Sequence, residues 1–313
     1  MTAATDAPLV VFTDITDLDP RPAERLLVEA GFRTLRLALP AEPVPVAAAD
    51  AVAAIVGYAR LGAAEFDAMP SLRMLATTSV GTDMIDSQAA RARGITVRTL
   101  AGVATEEVAA HALALILAVE RGLVPATAVV AAGGWTDDLT WVPRRLGTLT
   151  LGLVGLGRIG GALARMAAPL FGRIIACDPW TSDAGPVDLV GFERLLAESD
   201  IVSLHTPLTD DTRGMISTDR LASMRPGCVL VNVSRGELVD AAAVQEALAS
   251  GRLRGYAADV LTGEPPAADD PLRTLPGALV TPHSAFLSDA SLRGYQEQPA
   301  RNVIAALAKV SHG

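Results

Sequence analysis

Cysteine is scarce in this sequence, and the spacings that hold metal ions are absent. The 313 residues include two cysteines, Cys177 and Cys228, and both fall on apolar segments typical of strands. No C-x-x-C or H-E-x-x-H spacing occurs anywhere in the chain. We therefore expect two buried, reduced thiols rather than a disulfide, and no metal ion.

Long apolar runs and basic clusters are also missing. The apolar stretch Ala109–Val119 is too short to span a bilayer and contains His111. The opening residues MTAATDAPLVVFTD lack the basic region of a signal peptide. The net charge is −9 and the basic residues are scattered, which disfavours nucleic acid as a partner. These absences predict a cytoplasmic protein that binds neither membrane nor nucleic acid.

What the sequence does contain is an alternation of strand-like and helix-like segments. The length predicts two domains, and the alternation predicts an α/β fold with mostly parallel sheets. The predicted strands are Leu9–Phe12, Thr34–Ala38, Ala51–Val56, Met74–Thr77, Thr96–Arg98, Leu149–Val154, Arg173–Cys177, Ile201–Leu204, Val229–Val233, Tyr256–Asp259 and Ala278–Thr281. The predicted helices include Ala23–Ala30, Met84–Arg93, Thr105–Glu120 and Ser288–Ala308.

The predicted helix Thr105–Glu120 is apolar around nearly its whole circumference, with Thr105 as its expected N-cap. A helix of this kind is buried between layers or between subunits. We expect it to lead into the second domain and to contribute, within residues 105–145, to a homodimer contact. Ser217 and Asp240 are the expected N-caps of two later helices.

A glycine-rich turn lies near the middle of the chain, in the segment GLVGLGRIG at 152–160. Gly155, Gly157 and Gly160 have G-x-G-x-x-G spacing between a predicted strand and a helix. The first glycine permits the tight turn, the second lets backbone approach a pyrophosphate, and the third lets helix pack on strand. The motif therefore predicts dinucleotide binding.

Asp178 indicates which dinucleotide is bound. It follows the next predicted strand, eighteen residues after Gly160, where a carboxylate would accept hydrogen bonds from both ribose hydroxyls. The residues after it, Pro179 to Ser182, include no arginine or lysine to neutralise a 2′-phosphate. NAD is therefore favoured over NADP.

Side chains suited to carbonyl reduction follow the later strands. Arg235 could bind a carboxylate and polarise the adjacent carbonyl, and His283 could donate a proton to the oxygen. Glu264 would stabilise the protonated imidazole. His205 also follows a strand, and we interpret it as a wall of the cofactor cleft. His111 and His312 are interpreted as structural.

Several segments together resemble the D-isomer-specific 2-hydroxyacid dehydrogenase family, in order and spacing and over nearly the whole chain. The segments are SVGTD (79–83), GLVGLGRIG, HTPLTDDTRGMI (205–216), LVNVSRGELVD (230–240), ADVLTGEPP (258–266) and VTPHSA (280–285). The last part of the chain looks most like the branch of bacterial dehydrogenases related to the C-terminal-binding-protein corepressors.

The resemblance implies two domains with catalysis in the cleft between them. Residues 1–101 and 287–313 would form a discontinuous, flavodoxin-like substrate-binding domain, and residues 102–286 a Rossmann NAD-binding domain. It also implies that Arg235, Glu264 and His283 are the catalytic residues. Substrate contacts would come from Val80 and Gly81, whose amides would hold the substrate carboxylate, and from Arg235 and His283.

The resemblance further implies that Arg158 and Ile159 bind the pyrophosphate through their backbone and that Asp259 pairs with the carboxamide. Motif, strand ends and resemblance together give these cofactor-binding residues: Gly155, Gly157, Arg158, Ile159, Gly160, Asp178, His205, Thr206, Pro207, Thr212, Val233, Ser234, Asp259 and Ala285.

Two positions depart from the family pattern, and the substrate stays open. Phe286 stands where the corepressor-like branch has an aromatic that is typically Trp, and Ala110 stands where an acid commonly precedes the helical histidine. The leading interpretation is an NAD-dependent 2-keto acid reductase. The alternatives are an enzyme that oxidises a phosphite-type oxyanion and a dinucleotide-sensing scaffold protein. Tyr58, Arg60, Trp135 and Trp141 are further candidates for the pocket.

Overall fold

The computed structural model describes residues 7–14, 18–182 and 184–307. The chain divides into two compact units, Met1–Val103 with Ser288–Gly313, and Ala104–Leu287. The sequence-based division placed the boundaries after residues 101 and 286.

Unit 1 is built on a parallel sheet whose described strands run in the order β2-β1-β3-β4-β5. The elements are β1 (Leu9–Phe12), α1 (Arg21–Glu29), β2 (Arg33–Arg36), β3 (Ala51–Val56), α2 (Ala63–Ala68), β4 (Met74–Thr77), α3 (Ser87–Ala92), β5 (Thr96–Arg98) and a C-terminal helix, Asp289–Leu307. This is the strand order of flavodoxin-like folds. The central strands are continuous apolar runs because helices cover both faces of the sheet.

Unit 2 holds the glycine-rich turn and a second parallel sheet, ordered β12-β11-β10-β9-β6-β7-β8 in the described residues. Its elements are α4 (Thr105–Glu120), α5 (Leu123–Ala131), β6 (Thr150–Val154), α6 (Arg158–Ala167), β7 (Arg173–Cys177), β8 (Asp188–Leu189), α7 (Phe192–Glu198), β9 (Ile201–Leu204), α8 (Thr218–Ser223), β10 (Cys228–Asn232), α9 (Ala241–Ala249), β11 (Leu253–Ala258) and β12 (Ala278–Val280). Strands added on both sides of β6 give the doubly wound Rossmann arrangement. The predicted fold class is confirmed.

Helix α4 has the predicted bounds, but its predicted cap is wrong. The N-cap is Ala104, and Thr105 is already inside the first turn. One side of α4 packs on α6 and on the sheet through Ala109, Ala112 and Ile116, which are fully buried. No single described helix is both long and apolar enough to cross a membrane; α4 and α5, bent by 56° at their junction, meet that criterion only as a pair.

Several elements were missed or shifted. Helix α5 was not predicted, because Pro125 and valines obscure a helical pattern in LVPATAVVA. The two-residue strand β8 is too short to give a periodic signal. Six of the eleven predicted strands have the observed bounds, and the ends of the others shift by one or two residues, except that β11 begins three residues earlier. Short 3-10 turns lie at Val46–Ala48, Thr136–Asp138, Leu146–Thr148, Gly236–Leu238 and Pro271–Arg273.

Candidate active site

The strands of unit 2 are parallel, so the segments that follow them meet at one edge of the sheet. The sheet order reverses between β6 and β9, which is where such folds bind nucleotides. The predicted residues of unit 2 lie on this edge: the glycine turn after β6, Asp178 after β7, His205 after β9, Val233 to Arg235 after β10, Asp259 after β11, and Thr281 to Ala285 after β12.

The three motif glycines have three different surroundings. Gly155 has a φ of +95°, and a Cβ there would lie 2.6 Å from the carbonyl oxygen of His205. A Cβ on Gly160 would overlap the carbonyl of Gly155, whereas one on Gly157 would meet no atom within 4 Å. Gly155 and Gly160 are thus required for packing, and Gly157 leaves space beside the start of α6.

The first residues of α6 have backbone amides that are suited to binding an anion. Arg158 and Ile159 begin the helix, so their backbone N–H groups have no carbonyl partner within it. The open space at Gly157 lies next to these amides and to the positive end of the helix dipole. This arrangement fits the pyrophosphate of a dinucleotide.

Asp178 is fixed to the glycine turn. Its Oδ2 accepts the amide of Leu156 at 2.7 Å, and its Oδ1 accepts the amides of Trp180 at 2.8 Å and Thr181 at 3.1 Å. Partial burial alone would raise the pKa of Asp178, but these hydrogen bonds outweigh it and hold the pKa below its usual value. The side chain is therefore a carboxylate, placed where a ribose diol would be bound.

The loop after β9 carries four predicted residues. His205 Nε2 lies 2.8 Å from Ser203 Oγ, and its inaccessible Nδ1 has no hydrogen-bond partner among the described residues. Burial lowers the pKa of His205 to about 4, so the imidazole is neutral. Thr212 Oγ1 donates to the carbonyl of Pro207 at 2.8 Å and closes the loop, which also contains Thr206.

The turn after β10 holds Arg235. Buried Asn232 donates through Nδ2 to the carbonyl of Arg235 at 2.8 Å and accepts the amide of Ser234 at 3.0 Å. A Cβ on Gly236 would overlap the backbone of Leu261, so this turn lies directly against the segment that leads to Glu264. Asn232 was missed, although a polar residue within the apolar strand CVLVN is a recognisable signal.

Glu264 and His283 are hydrogen-bonded. His283 Nδ1 lies 2.5 Å from Glu264 Oε2, and Glu264 Oε1 accepts the amide of Leu261 at 2.8 Å. Burial would raise the pKa of Glu264, but the hydrogen bond and charge of His283, the Leu261 amide and the charge of Arg235 together lower it. The structure thus brings a guanidinium, a carboxylate and an imidazole into one electrostatic cluster.

Asp259 binds the turn that carries His283. Its Oδ1 accepts the amide of Ser284 at 2.9 Å, and its Oδ2 accepts that of buried Ala285 at 2.8 Å. The ring of Phe286 lies edge-on to that of His283, with centroids 6.4 Å apart. Phe286, a departure from the family pattern, therefore contacts the candidate acid directly.

Unit 1 carries the remaining candidates. In the turn after β4, Ser79 Oγ donates to the carbonyl of Gly81 at 2.7 Å. The amides of Val80 and Gly81 donate to no other described residue. After β3, buried Asp14 accepts the amides of Gly57 to Ala59 and fixes the turn before Arg60. No local pattern in the sequence indicates this interaction.

Metal ligands and disulfides are not part of the described structure. No group of three or more His, Cys, Asp or Glu side chains in residues 7–14, 18–182 and 184–307 could hold a metal ion. Cys228 is buried as expected, whereas Cys177 is only partly buried, and both are free.

Residues 113–285 match the family model described as D-isomer specific 2-hydroxyacid dehydrogenase, NAD binding domain. A glyoxylate reductase of Korarchaeum cryptofilum is 40% identical over 77% of this chain and 74% of its own length. An NADPH-dependent glyoxylate/hydroxypyruvate reductase structure from Sinorhizobium meliloti, solved with NADP and malonate, has a TM-score of 0.87 and 30% identity over 97% of this chain and 94% of its own.

A D-lactate dehydrogenase structure from Aquifex aeolicus, solved with NAD and lactic acid, has a TM-score of 0.86 and 29% identity, covering 96% of both chains. The family model covers more than half of the sequence, and its match includes the glycine turn, Asp178, Arg235, Glu264 and His283. The chain therefore belongs to the D-isomer-specific 2-hydroxyacid dehydrogenase family.

Proposed function

We propose that Arg235, Glu264 and His283 divide the chemistry of a 2-keto acid reductase between them. As a member of its family, the protein is an NAD-dependent oxidoreductase that acts on the CH–OH group of 2-hydroxy acids. When bound, NADH supplies a hydride to carbon 2 of the keto acid, and NAD accepts it in the reverse direction. The observation that carries the proposal is the hydrogen bond between His283 and Glu264 at this edge of the sheet.

His283 is the proposed acid and base. Its Nδ1 is engaged by Glu264, so Nε2 is the nitrogen that exchanges a proton with substrate. In reduction, Nε2 gives its proton to the keto oxygen, and the imidazolium becomes a neutral imidazole. Glu264 stays ionised throughout and stabilises the imidazolium, because its pKa lies below the usual range. The reverse reaction returns the proton to Nε2.

Arg235 is the proposed substrate anchor. Its Nη1 donates to the carbonyl of Ser234 at 2.8 Å, which fixes one side of the guanidinium. The guanidinium would bind the substrate carboxylate and draw charge from the adjacent carbonyl as the alkoxide develops. The amides of Val80 and Gly81 are proposed to bind a substrate carboxylate as well, since no other described residue accepts from them.

NAD is held by the residues of the sheet edge. The amides of Arg158 and Ile159 and the space at Gly157 suit the pyrophosphate, and Asp178 suits the ribose. The remaining proposed contacts are His205, Thr206, Pro207, Thr212, Val233, Ser234, Asp259 and Ala285. Unit 2 is accordingly the proposed NAD-binding domain and unit 1 the proposed substrate-binding domain.

We also propose that the protein is a homodimer. Residues 123–142, here called the apolar arm, expose Val124, Val130, Trp135 and Val142 by 55 to 83%. Exposed apolar residues of this extent mark an interface between subunits.

Light scattering tests the dimer. We expect a mass of twice 32.4 kDa for the wild-type protein, and a monomer when Val124 and Val130 are both changed to Asp. Val46→Asp is the matched control, because Val46 is 93% exposed in unit 1. A monomeric wild-type protein would contradict the proposal. We propose that the protein is cytoplasmic. We propose neither a membrane nor nucleic acid as a partner.

A substrate panel tests the proposed reaction. NADH absorbance is followed with glyoxylate, hydroxypyruvate, pyruvate, phenylpyruvate and 2-ketoisocaproate, and NAD reduction is followed with phosphite. The proposal predicts NADH oxidation with at least one keto acid and no reaction with phosphite. Turnover of phosphite alone would favour the oxyanion reaction, and no turnover at all would favour a sensing role; either result would contradict the proposal.

A further inference from the structure

One histidine of unit 2 lies close to the candidate site without a part in the proposed chemistry. His111, on α4, places Nε2 at 2.9 Å from Thr281 Oγ1 and at 3.6 Å from Asp259 Oδ1. Its side chain is 24% exposed and that of Asp259 is 2% exposed, so the contact is shielded from solvent. From the sequence alone, His111 is interpreted only as structural.

The direction of these hydrogen bonds follows from the donors that are available. Thr281 has a single hydroxyl hydrogen, and its Oγ1 lies 2.6 Å from Asp259 Oδ1, which as a carboxylate can only accept. The hydroxyl therefore donates to Asp259. His111 must then donate from Nε2–H to Thr281 Oγ1, so Nε2 is a protonated nitrogen of this imidazole. The chain of donors runs from His111 through Thr281 to Asp259.

Asp259 in turn holds the backbone around His283. Its carboxylate accepts the amides of Ser284 and Ala285, and its carbonyl oxygen accepts the amide of His283 at 2.8 Å. His283 has a φ of 50°, the left-handed region that is costly for a residue with a Cβ. The surrounding hydrogen bonds must maintain that conformation, and Thr281, at the start of the turn, is one of the points that Asp259 fixes.

We infer that His111 is a positioning residue for His283, acting through Thr281 and Asp259. The inference rests on the proposed role of His283 as acid and base. Without the Nε2–H of His111, the Thr281 hydroxyl loses its donor and can rotate away from Asp259. The turn is then held less firmly, and His283 spends less time in the geometry for proton transfer. His111 itself touches neither substrate nor the reacting atoms.

A series of variants tests the inference with the keto acid that the wild-type protein reduces fastest. His111→Leu removes the donor and is expected to lower kcat roughly 10- to 100-fold, since small misplacement of a catalytic group has effects of this size. KM and the NADH dissociation constant should stay within about twofold. His111→Gln carries an amide N–H of similar reach and should recover most of the lost kcat.

Thr281 provides a second and independent arm of the test. Thr281→Val keeps the shape but removes the hydroxyl, and it should lower kcat as His111→Leu does. Because the two residues act in one chain, the double variant should be little worse than either single variant. Thr281→Ser, which keeps the hydroxyl, is the matched control. The Thr281 variants also test the inference if His111→Leu fails to fold.

A spectroscopic readout does not depend on turnover. In the protein without substrate, the Nδ1 proton of His283, shared with Glu264, should give a downfield proton resonance that shifts or broadens in His111→Leu and returns in His111→Gln. A wild-type kcat in His111→Leu, a Gln variant as impaired as the Leu variant, or additive losses in the double variant would overturn the inference. Activity in His283→Ala would instead overturn the proposed function, so the two failures are distinguishable.

Discussion

Glu264 Oε2 lies 2.5 Å from Nδ1 of His283, while the other oxygen of the same carboxylate accepts the amide of Leu261. The Glu264 side chain thus fixes both the orientation of the His283 imidazole and the turn that carries Glu264 itself. The arrangement leaves Nε2 as the nitrogen that, in the proposed mechanism, exchanges a proton with substrate.

Glu264→Gln should slow keto acid reduction while leaving cofactor binding intact. The amide oxygen can still accept from Nδ1 of His283, but the negative charge that stabilises the imidazolium is gone. We expect kcat to fall roughly 10- to 100-fold, with the NADH dissociation constant within about twofold of wild type. Steady-state kinetics measure the first and fluorescence titration the second. The control is Glu193→Gln, a solvent-exposed position on α7 paired with Arg220. An unchanged kcat would show that the charge of Glu264 does not contribute to turnover.

Gly236→Ala should damage the site through backbone contact. The added Cβ would overlap the backbone of Leu261 and Thr262, so either the Arg235 turn or the segment before Glu264 must move. We expect a loss of activity of about a hundredfold, because misplacement by an ångström has effects of that size. Gly191→Ala is the matched control, since a Cβ there meets no atom within 4 Å and the φ is −67°. Equal activity of the two variants would contradict the close packing of these turns.

Asp178→Ala should narrow the preference for NAD over NADP. The carboxylate would accept hydrogen bonds from both ribose hydroxyls and repel a 2′-phosphate. Its removal should therefore weaken the binding of NAD and remove the repulsion that disfavours NADP. We expect the ratio of kcat/KM values for the two cofactors to fall on the order of tenfold or more. Asp188→Ala, at the exposed strand β8, serves as the control. A ratio that stays the same would show that Asp178 does not discriminate.

His205 should make stability depend on pH. Its pKa is lowered by burial from 6.5 to about 4 in the folded protein, so the unfolded chain binds this proton first as the pH falls. The neutral form of His205 therefore contributes fully to the free energy of unfolding above pH 6.5, and this contribution is lost as the pH falls from 6.5 to about 4. Urea unfolding across that range should show a loss on the order of 1–3 kcal/mol, and His205→Gln should reduce the slope. An identical slope in the variant would contradict this assignment.

The fold could be predicted largely because local patterns agree with it. Strands such as Ala51–Val56 and Ile201–Leu204 are short, continuous apolar runs, and burial on both faces demands that composition. Helix α5 could not be predicted, because none of its residues is buried in the described structure and its sequence carries no apolar periodicity. A helix that buries no residue against its own chain needs no apolar periodicity in its sequence.

The candidate site was predictable where it follows strand ends, and not where it depends on tertiary contacts. Arg235 and His283 each follow a strand, and the parallel sheet brings such segments to one edge. The bond from His111 to Thr281 joins residues 170 positions apart, so neither residue signals the other in the sequence. Asp14 likewise binds a turn more than 40 residues away.

The turnover of His283→Ala, measured beside its affinity for NADH, decides whether His283 is the acid and base of the reaction. His283 is the proposed proton donor, and the nucleotide contacts proposed for the glycine turn and Asp178 do not involve its side chain. We expect the variant to bind NADH within about twofold of the wild-type dissociation constant and to reduce keto acid at least about a hundredfold more slowly. A variant that reduces keto acid at the wild-type rate would contradict this role of His283.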